Sequence, residues 1–287
     1  MLALLKKELR QYFFTPNGWV FLSVFLFISG IMFSIQMVFP GNSQYPAFLA
    51  NLPFIYLFVI PLLTMRSFAD ERRFMTDQLL FTGPTRLLYI VLGKFLSALI
   101  VYLTTIALTF VYPLLLSFHG ELEWPVILGT YIGFILLGMS FIAIGIFTSQ
   151  LTENLLTSAV FCFCVIMLTF LVEPMRRYMP ASETSGLIWA VILVVIPLFR
   201  LYSAGKNWLI IALVGFVLAA VFLLFWFFGK DLFAGFIGRS LGWLSLTRRF
   251  LTFSMGILSL DAVVYYLSFA GFFLFLTVMG LEKRRWS

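Results

Sequence analysis

The sequence predicts an all-α, polytopic membrane helical bundle, and three observations predict it. The chain is 62% hydrophobic and 11% charged over 287 residues, with a mean hydropathy of +1.05. Soluble domains run at about 45–50% apolar and about 25% charged. The apolar residues fall in blocks close to the roughly 20 needed to cross a bilayer core. Lys and Arg are then distributed unevenly between those blocks. No polar block is long enough to fold alone as a soluble domain. The 36 Phe residues suit helices that face lipid.

The first element is Leu2–Phe14, which sets Leu4, Leu5, Leu9, Tyr12 and Phe13 against Lys6, Lys7 and Arg10. That pattern predicts an amphipathic helix lying along the cytoplasmic leaflet. Lys6, Lys7 and Arg10 would anchor it to anionic headgroups at about 1 kcal/mol each. Pro16-Asn17-Gly18 turns the chain into the first span. Nothing at the N-terminus reads as a cleavable signal, because the apolar run after its charges is too long.

Eight spans follow: Trp19–Val38, Pro46–Met65, Leu87–Leu116, Trp124–Phe147, Asn154–Val172, Leu187–Leu201, Trp208–Phe228 and Val263–Leu281. The third exceeds the bilayer thickness and should begin in the cytoplasm, with Lys94 snorkelling to the interface. The sixth is short and contains Pro197, so a tilted span and half of a re-entrant hairpin both fit. Asp231–Leu260 is apolar but broken by Gly235, Gly238, Gly242 and Gly256, with Arg239, Arg248 and Arg249 interspersed. It reads as one or two short helices dipping into the outer leaflet. Asp261, just before the last span, is placed to cap it.

Orientation follows from the basic residues. With the N-terminus inside, 13 Lys and Arg lie in the cytoplasm and 6 outside, while acids divide 6 and 6. The whole net charge of +7 then falls on the cytoplasmic face, and the C-terminus is cytoplasmic too. Leaving the sixth and seventh segments uncrossed would weaken this split to 11 against 8.

One segment breaks the oily pattern. Between the second and third spans, residues 66–86 read RSFADERRFMTDQLLFTGPTR, with Arg66, Asp70, Glu71, Arg72, Arg73, Asp77 and Arg86 close together. Phe68, Phe74, Leu79 and Leu80 can face headgroups or a protein groove, leaving Asp70, Glu71, Arg72, Arg73 and Asp77 to water or a partner. The plain reading is a solvated loop obeying the positive-inside rule. The sharper reading is a docking segment for a soluble protein.

Other chemistry is sparse. Cys162 and Cys164 lie in an apolar run and point in different directions on a helix, as small buried hydrophobes. His119 stands in an external loop, far from any metal-ligand spacing. The chain contains no G-x-x-x-x-G-K-[ST] loop, so it does not hydrolyse ATP by that chemistry. It offers no Ser/His/Asp set and no acidic residue at mid-membrane of the kind a proton-driven transporter buries. Nothing points to nucleic acid.

The order of these features resembles a known family. An interfacial KKEL helix, two spans, FADERR…T.QLL…P, a long third span and then Ser149-Gln150-Leu151-Thr152-Glu153-Asn154 resemble the permease subunits of type 2 ABC exporters. The family's loop reads like F-A-E-E-[RK]-R-x-G-T-x-E-L-L-L-T-x-P. Phe68, Ala69, Glu71, Arg72, Arg73, Thr76, Leu79, Leu80, Thr82 and Pro84 match it, and Asp70 stands at an acidic position. Met75 stands where the family has Gly, and Gln78 where it has Glu. The run Leu260–Trp286 resembles the end of permeases grouped with the gliding-motility-associated exporter subunit. The resemblance covers roughly residues 1–175 and 245–287, and residues 187–228 look like an inserted hairpin on a six-span core.

The resemblance implies a bacterial inner-membrane permease, paired with a second copy or paralogue, that exports a substrate; the sequence does not name that substrate, and the aromatic, apolar interior suits a lipidic or amphipathic one. It implies no cofactor in this chain, with ATP and Mg bound by a separate cytosolic ATPase subunit. Phe68, Asp70, Glu71, Arg72, Arg73, Thr76, Gln78 and Leu79 would form the coupling helix that docks there. The competing reading is a non-transporting scaffold that passes ATPase strokes to a periplasmic or membrane accessory subunit. Its partner surface would be the Gly-rich external segment with Arg176, Arg177, Arg248 and Arg249.

Overall fold

The computed structural model describes residues 2–41, 44–76, 86–118, 122–179, 182, 185–186, 189 and 235–285. These residues form helices α1 (Leu2–Phe14), α2 (Pro16–Phe33), α3 (Tyr45–Asn51), α4 (Tyr56–Thr64), α5 (Arg66–Arg73) and α6 (Leu87–Thr109). The chain continues through α7 (Val111–Ser117), α8 (Trp124–Ser149), α9 (Leu155–Tyr178), α10 (Phe236–Leu244), α11 (Leu246–Ser254) and α12 (Leu260–Arg285). A π-helical turn, Ser34–Val38, extends α2, and a 3-10 turn, Leu52–Ile55, joins α3 to α4. No strand occurs among the described residues.

Six stretches are long and apolar enough to cross a membrane: Gly18–Val38, Tyr45–Arg73, Leu87–Ser117, Trp124–Ser149, Leu155–Tyr178 and Leu260–Arg285. The chain is a multi-pass membrane protein. These stretches coincide with six of the eight spans the sequence predicts. The other two, Leu187–Leu201 and Trp208–Phe228, lie outside the described residues.

The chain divides into two compact units, residues 1–168 with 246–287, and residues 169–245. Within the second unit, Glu173 pairs with Arg176 at 2.7 Å and with Arg177 at 3.8 Å. Trp189 Nε1 donates to Ser240 Oγ at 3.2 Å, and Gly235, at a φ of 69°, begins α10.

The first unit is built around two helical rods. The most apolar 18 residues of Tyr45–Arg73 are 67% buried and those of Trp124–Ser149 72%, against 17–33% for the corresponding parts of the other four spans. Two apolar helices gain no hydrophobic free energy by meeting in lipid, so close approach and interhelical hydrogen bonds hold them together. Gly145 on α8 lies directly against Thr64 on α4, where any Cβ would overlap the threonine hydroxyl. Tyrosine hydroxyls supply the hydrogen bonds. Tyr131 donates to the Thr109 carbonyl at 3.1 Å and lies 2.7 Å from the Tyr45 hydroxyl. Tyr102 donates to the Phe134 carbonyl at 2.8 Å and lies 2.6 Å from the Tyr56 hydroxyl. Tyr12 donates to the Leu63 carbonyl at 3.1 Å, with Ser67 Oγ at 3.4 Å. Tyr45, Tyr56 and Ser67 are spaced eleven residues apart, about three helical turns, so one face of the rod is tied to α8, α6 and α1 in succession.

The rods have two distinct ends. At one end lie α1, α5, the start of α6 and the end of α8. The C-terminal part of α12 reaches this end as well, where Gln150 Nε2 donates to the Leu276 carbonyl at 3.5 Å. At the far end, α11 packs on the N-terminal half of α8 through Phe250 against Phe134 and Phe253 against Gly133, and Thr130 Oγ1 reaches the Phe253 carbonyl at 3.4 Å.

Three expectations change here. The helix Leu2–Phe14 does not rest on lipid alone: Gly93 of α6 meets Leu4, with room for no more than a hydrogen at that position. Lys6, Lys7 and Arg10 remain exposed, as an anchoring face requires. Asp261 lies inside the first turn of α12 rather than before it, because Leu260 already begins the helix; it meets the helix dipole without capping. Cys162 is buried as expected, but Cys164 is exposed, because i and i+2 on a helix face opposite ways. The segment 231–260 does contain two short helices, α10 and α11, in its described part.

Candidate functional site

The described start of the charged island, residues 66–73, is the end of the Tyr45–Arg73 rod rather than a separate loop helix. From Tyr45 to Arg73 there are 29 residues. At 1.5 Å per residue that is about 43 Å, more than the roughly 30 Å of hydrocarbon in a bilayer. The rod is therefore longer than an apolar layer, and its charged turns are those of α5.

Sequence places two polar motifs far apart, at 66–86 and 149–154, and the structure brings them together. Ser149, the last residue of α8, acts as a cap supplied from another helix. Its Oγ accepts from the backbone N–H of Phe68 at 2.9 Å and of Ala69 at 3.2 Å, and donates to the Met65 carbonyl at 3.1 Å. The first N–H groups of a helix have no partner within it, and a serine hydroxyl is a suitable acceptor for them. Arg72 Nε then pairs with Glu153 Oε1 at 2.7 Å. Asn154 closes the motif as the cap of α9, accepting from Leu156 N at 2.9 Å.

Behind this contact is a buried ion cluster. Lys94 Nζ on α6 lies 2.7 Å from Glu71 Oε1 on α5 and 3.2 Å from Glu8 Oε1 on α1. The three side chains are 2%, 14% and 5% exposed, respectively. Lys7 completes the set from the solvent side, 3.7 Å from Glu8 and 3.8 Å from Glu71. The Lys94 ammonium also sits 5.1 Å from the centre of the Phe68 ring, within cation–π range. Two carboxylates and two ammonium groups thus share one site and nearly cancel. Glu71 Oε2 is buried with no hydrogen-bond partner among the described residues. Burial also pushes the neighbouring Tyr12 phenol up to about 12, so it is a neutral donor at any ordinary pH.

This cluster corrects three expectations. Lys94 does not snorkel to the interface, because two carboxylates satisfy it where it stands. Phe68 does not face headgroups or a groove; it is 6% exposed, under Lys94 and behind Ser149. Glu71 does not face water but points back at the bundle. Asp70 and Arg72 are half-buried, and Arg73 and Thr76 are exposed. Gln78 and Leu79 lie outside the described residues. Glu8 was not singled out by the sequence, yet it belongs to the cluster.

Helix α5 ends in a turn with a definite chemistry. Thr76 N donates to the Glu71 carbonyl at 2.9 Å and Met75 N to the Arg72 carbonyl at 3.1 Å, the paired bonds of a Schellman stop. Met75 is left-handed, with a φ of 54°, at the position such stops give to glycine. The tip is apolar and bare: Phe74 is 69% exposed and Met75 71%. The Arg73 guanidinium lies 5.8 Å from the Phe74 ring.

No group of three or more His, Cys, Asp or Glu among the described residues is placed to hold a metal ion. No protein-family model and no curated protein matches the chain.

Proposed function

We propose that this chain is the membrane subunit of an ATP-driven exporter, a permease of the type 2 ABC kind, and that the rod tip is where a separate cytosolic ATPase docks. One observation supports this most: a helix packed into the bundle core over most of its apolar length ends in exposed Phe74 and Met75 beside Arg73. An apolar pair flanked by an arginine is the composition of a buried interface anchor. Arg73, Asp70 and Thr76 would surround it. Glu71, Arg72 and Phe68 have a different role, holding the tip to the bundle through Lys94, Glu153 and Ser149.

In this reading the charged end faces the cytoplasm, with both termini, and Lys6, Lys7 and Arg10 meet anionic headgroups. ATP binding closes a pair of ATPase subunits under a pair of permeases. Closure pushes the tips, and each rod carries the push inward because hydroxyl pairs and ion pairs tie it to α1, α6 and α8. The two-state rocking follows from ATP favouring one arrangement over the other. ATP and Mg stay on the partner.

A photo-crosslinking residue at Phe74, in the full chain expressed in bacterial membranes, tests the proposal. The expected product is a cytosolic subunit bearing a G-x-x-x-x-G-K-[ST] loop, and its yield should collapse with Met75→Asp. Crosslinks confined to lipid, or to proteins without a nucleotide-binding loop, would contradict the docking role.

A further inference from the structure

The geometry points to a second site, at the far end of the bundle, that binds a primary ammonium group carried on an apolar body. The cavity there has a volume of about 570 Å³, within the roughly 300–1,000 Å³ typical of small-molecule sites. Three elements converge on it: the residues entering α3, the start of α8 and the end of α11. Glu123, Ser254 and Gln44 supply polar groups, while Pro46, Val126 and Met255 supply apolar wall.

Two details set the ligand class. Glu123 precedes α8 without making a side-chain capping bond, and no cation among the described residues lies within ion-pair distance of its carboxylate. Ser254 Oγ donates its proton to the Leu251 carbonyl at 2.8 Å, so the hydroxyl turns lone pairs to its surroundings. The site thus offers a negative charge and an acceptor. A primary ammonium carries three donors and a positive charge; a quaternary ammonium carries the charge alone. Charged hydrogen bonds are the strong ones, so the site should separate the two. Exposed Met255 and the Leu122 and Val126 side chains in the wall suit an alkyl or aromatic body.

The walls are preformed. Tyr45, next to Gln44, is tied to Tyr131, and Thr130 reaches the Phe253 carbonyl beside Ser254. Gly256, at a φ of 79°, brings the chain back onto Val126. The site stands whether or not the chain works with an ATPase, because none of its residues belongs to the charged end.

Isothermal titration of the full chain in phosphatidylcholine nanodiscs tests this, with empty discs subtracted and hexylammonium as probe. Saturable binding of one hexylammonium per chain is expected. Glu123→Gln should weaken it about tenfold or more, and hexyltrimethylammonium should bind weaker by a similar factor. Ala47→Trp, at an exposed wall position, should abolish binding while leaving the carboxylate in place. Unchanged melting temperatures of the two variants establish that the fold is intact. Equal affinity for hexylammonium in Glu123→Gln, for the trimethyl analogue, or for hexanesulfonate would overturn the assignment.

Discussion

The two ends of the Tyr45–Arg73 rod solve the same problem with different chemistry. At the charged end, Glu71 meets Lys94 and Glu8 in a closed, ionic contact. At the far end, Tyr45 meets Tyr131 in a neutral hydroxyl pair, and a cavity opens beside it. A buried ammonium between carboxylates needs every partner, since removing one leaves an uncompensated charge. A buried hydroxyl pair that loses one member leaves at most one neutral group unsatisfied, about 1–3 kcal/mol, which is less than an uncompensated charge. The charged end is therefore the fixed point of the rod, and the far end is the one that tolerates room for a ligand.

The largest test of that contrast is Lys94→Met. It leaves Glu8 and Glu71 facing each other with only the exposed Lys7 nearby, and should cost about 3–5 kcal/mol. The thermal midpoint in detergent would read the loss. Adding Glu8→Gln and Glu71→Gln should recover most of it, because the buried charges are then gone on both sides. A triple variant as unstable as Lys94→Met would show that the lysine acts by shape and not by charge.

Next comes Tyr56→Phe, in the middle of the rod. It removes one hydroxyl while Tyr102 keeps its bond to the Phe134 carbonyl. The expected cost is about 1 kcal/mol. A loss equal to that of Lys94→Met would erase the distinction between ionic and neutral fastening.

The last effect, comparable in size, is a gain. Met75→Gly relieves a left-handed residue at the helix stop and should stabilise the island by about 1 kcal/mol. Hydrogen exchange at Thr76 N, which closes the stop, should slow. Faster exchange there would mean that the methionine side chain, and not the backbone turn, orders the tip.

Much of this was legible in the sequence. The six described spans follow from apolar length alone, since lipid permits only helices that satisfy their own backbone. The island was legible as an exception to that pattern, and the resemblance marked Met75 as a glycine position, which its φ of 54° accounts for. The partners were not legible. Lys94 near a span end matches the snorkelling pattern, and only tertiary packing shows two carboxylates waiting for it. One signal was available: Leu4, Glu8 and Tyr12 share one stripe of α1, and a carboxylate in an apolar stripe points to a buried cation. Ser149 gave no such signal, because a cap donated by another helix leaves no local spacing to read. The tyrosine ties were invisible for the same reason, each tyrosine being one more aromatic residue in an aromatic-rich chain.

The central claim is that the bare tip of the rod engages an ATPase, and ATP turnover tests it most directly. The ATPase subunit captured at Phe74 would be assayed with intact chain, with the Phe74→Asp chain, and alone, all in nanodiscs. Intact chain should change the turnover rate several-fold, and Phe74→Asp should leave the rate of the ATPase alone, with the bundle's melting temperature unchanged. Identical turnover with intact chain, with variant and without either would contradict the account.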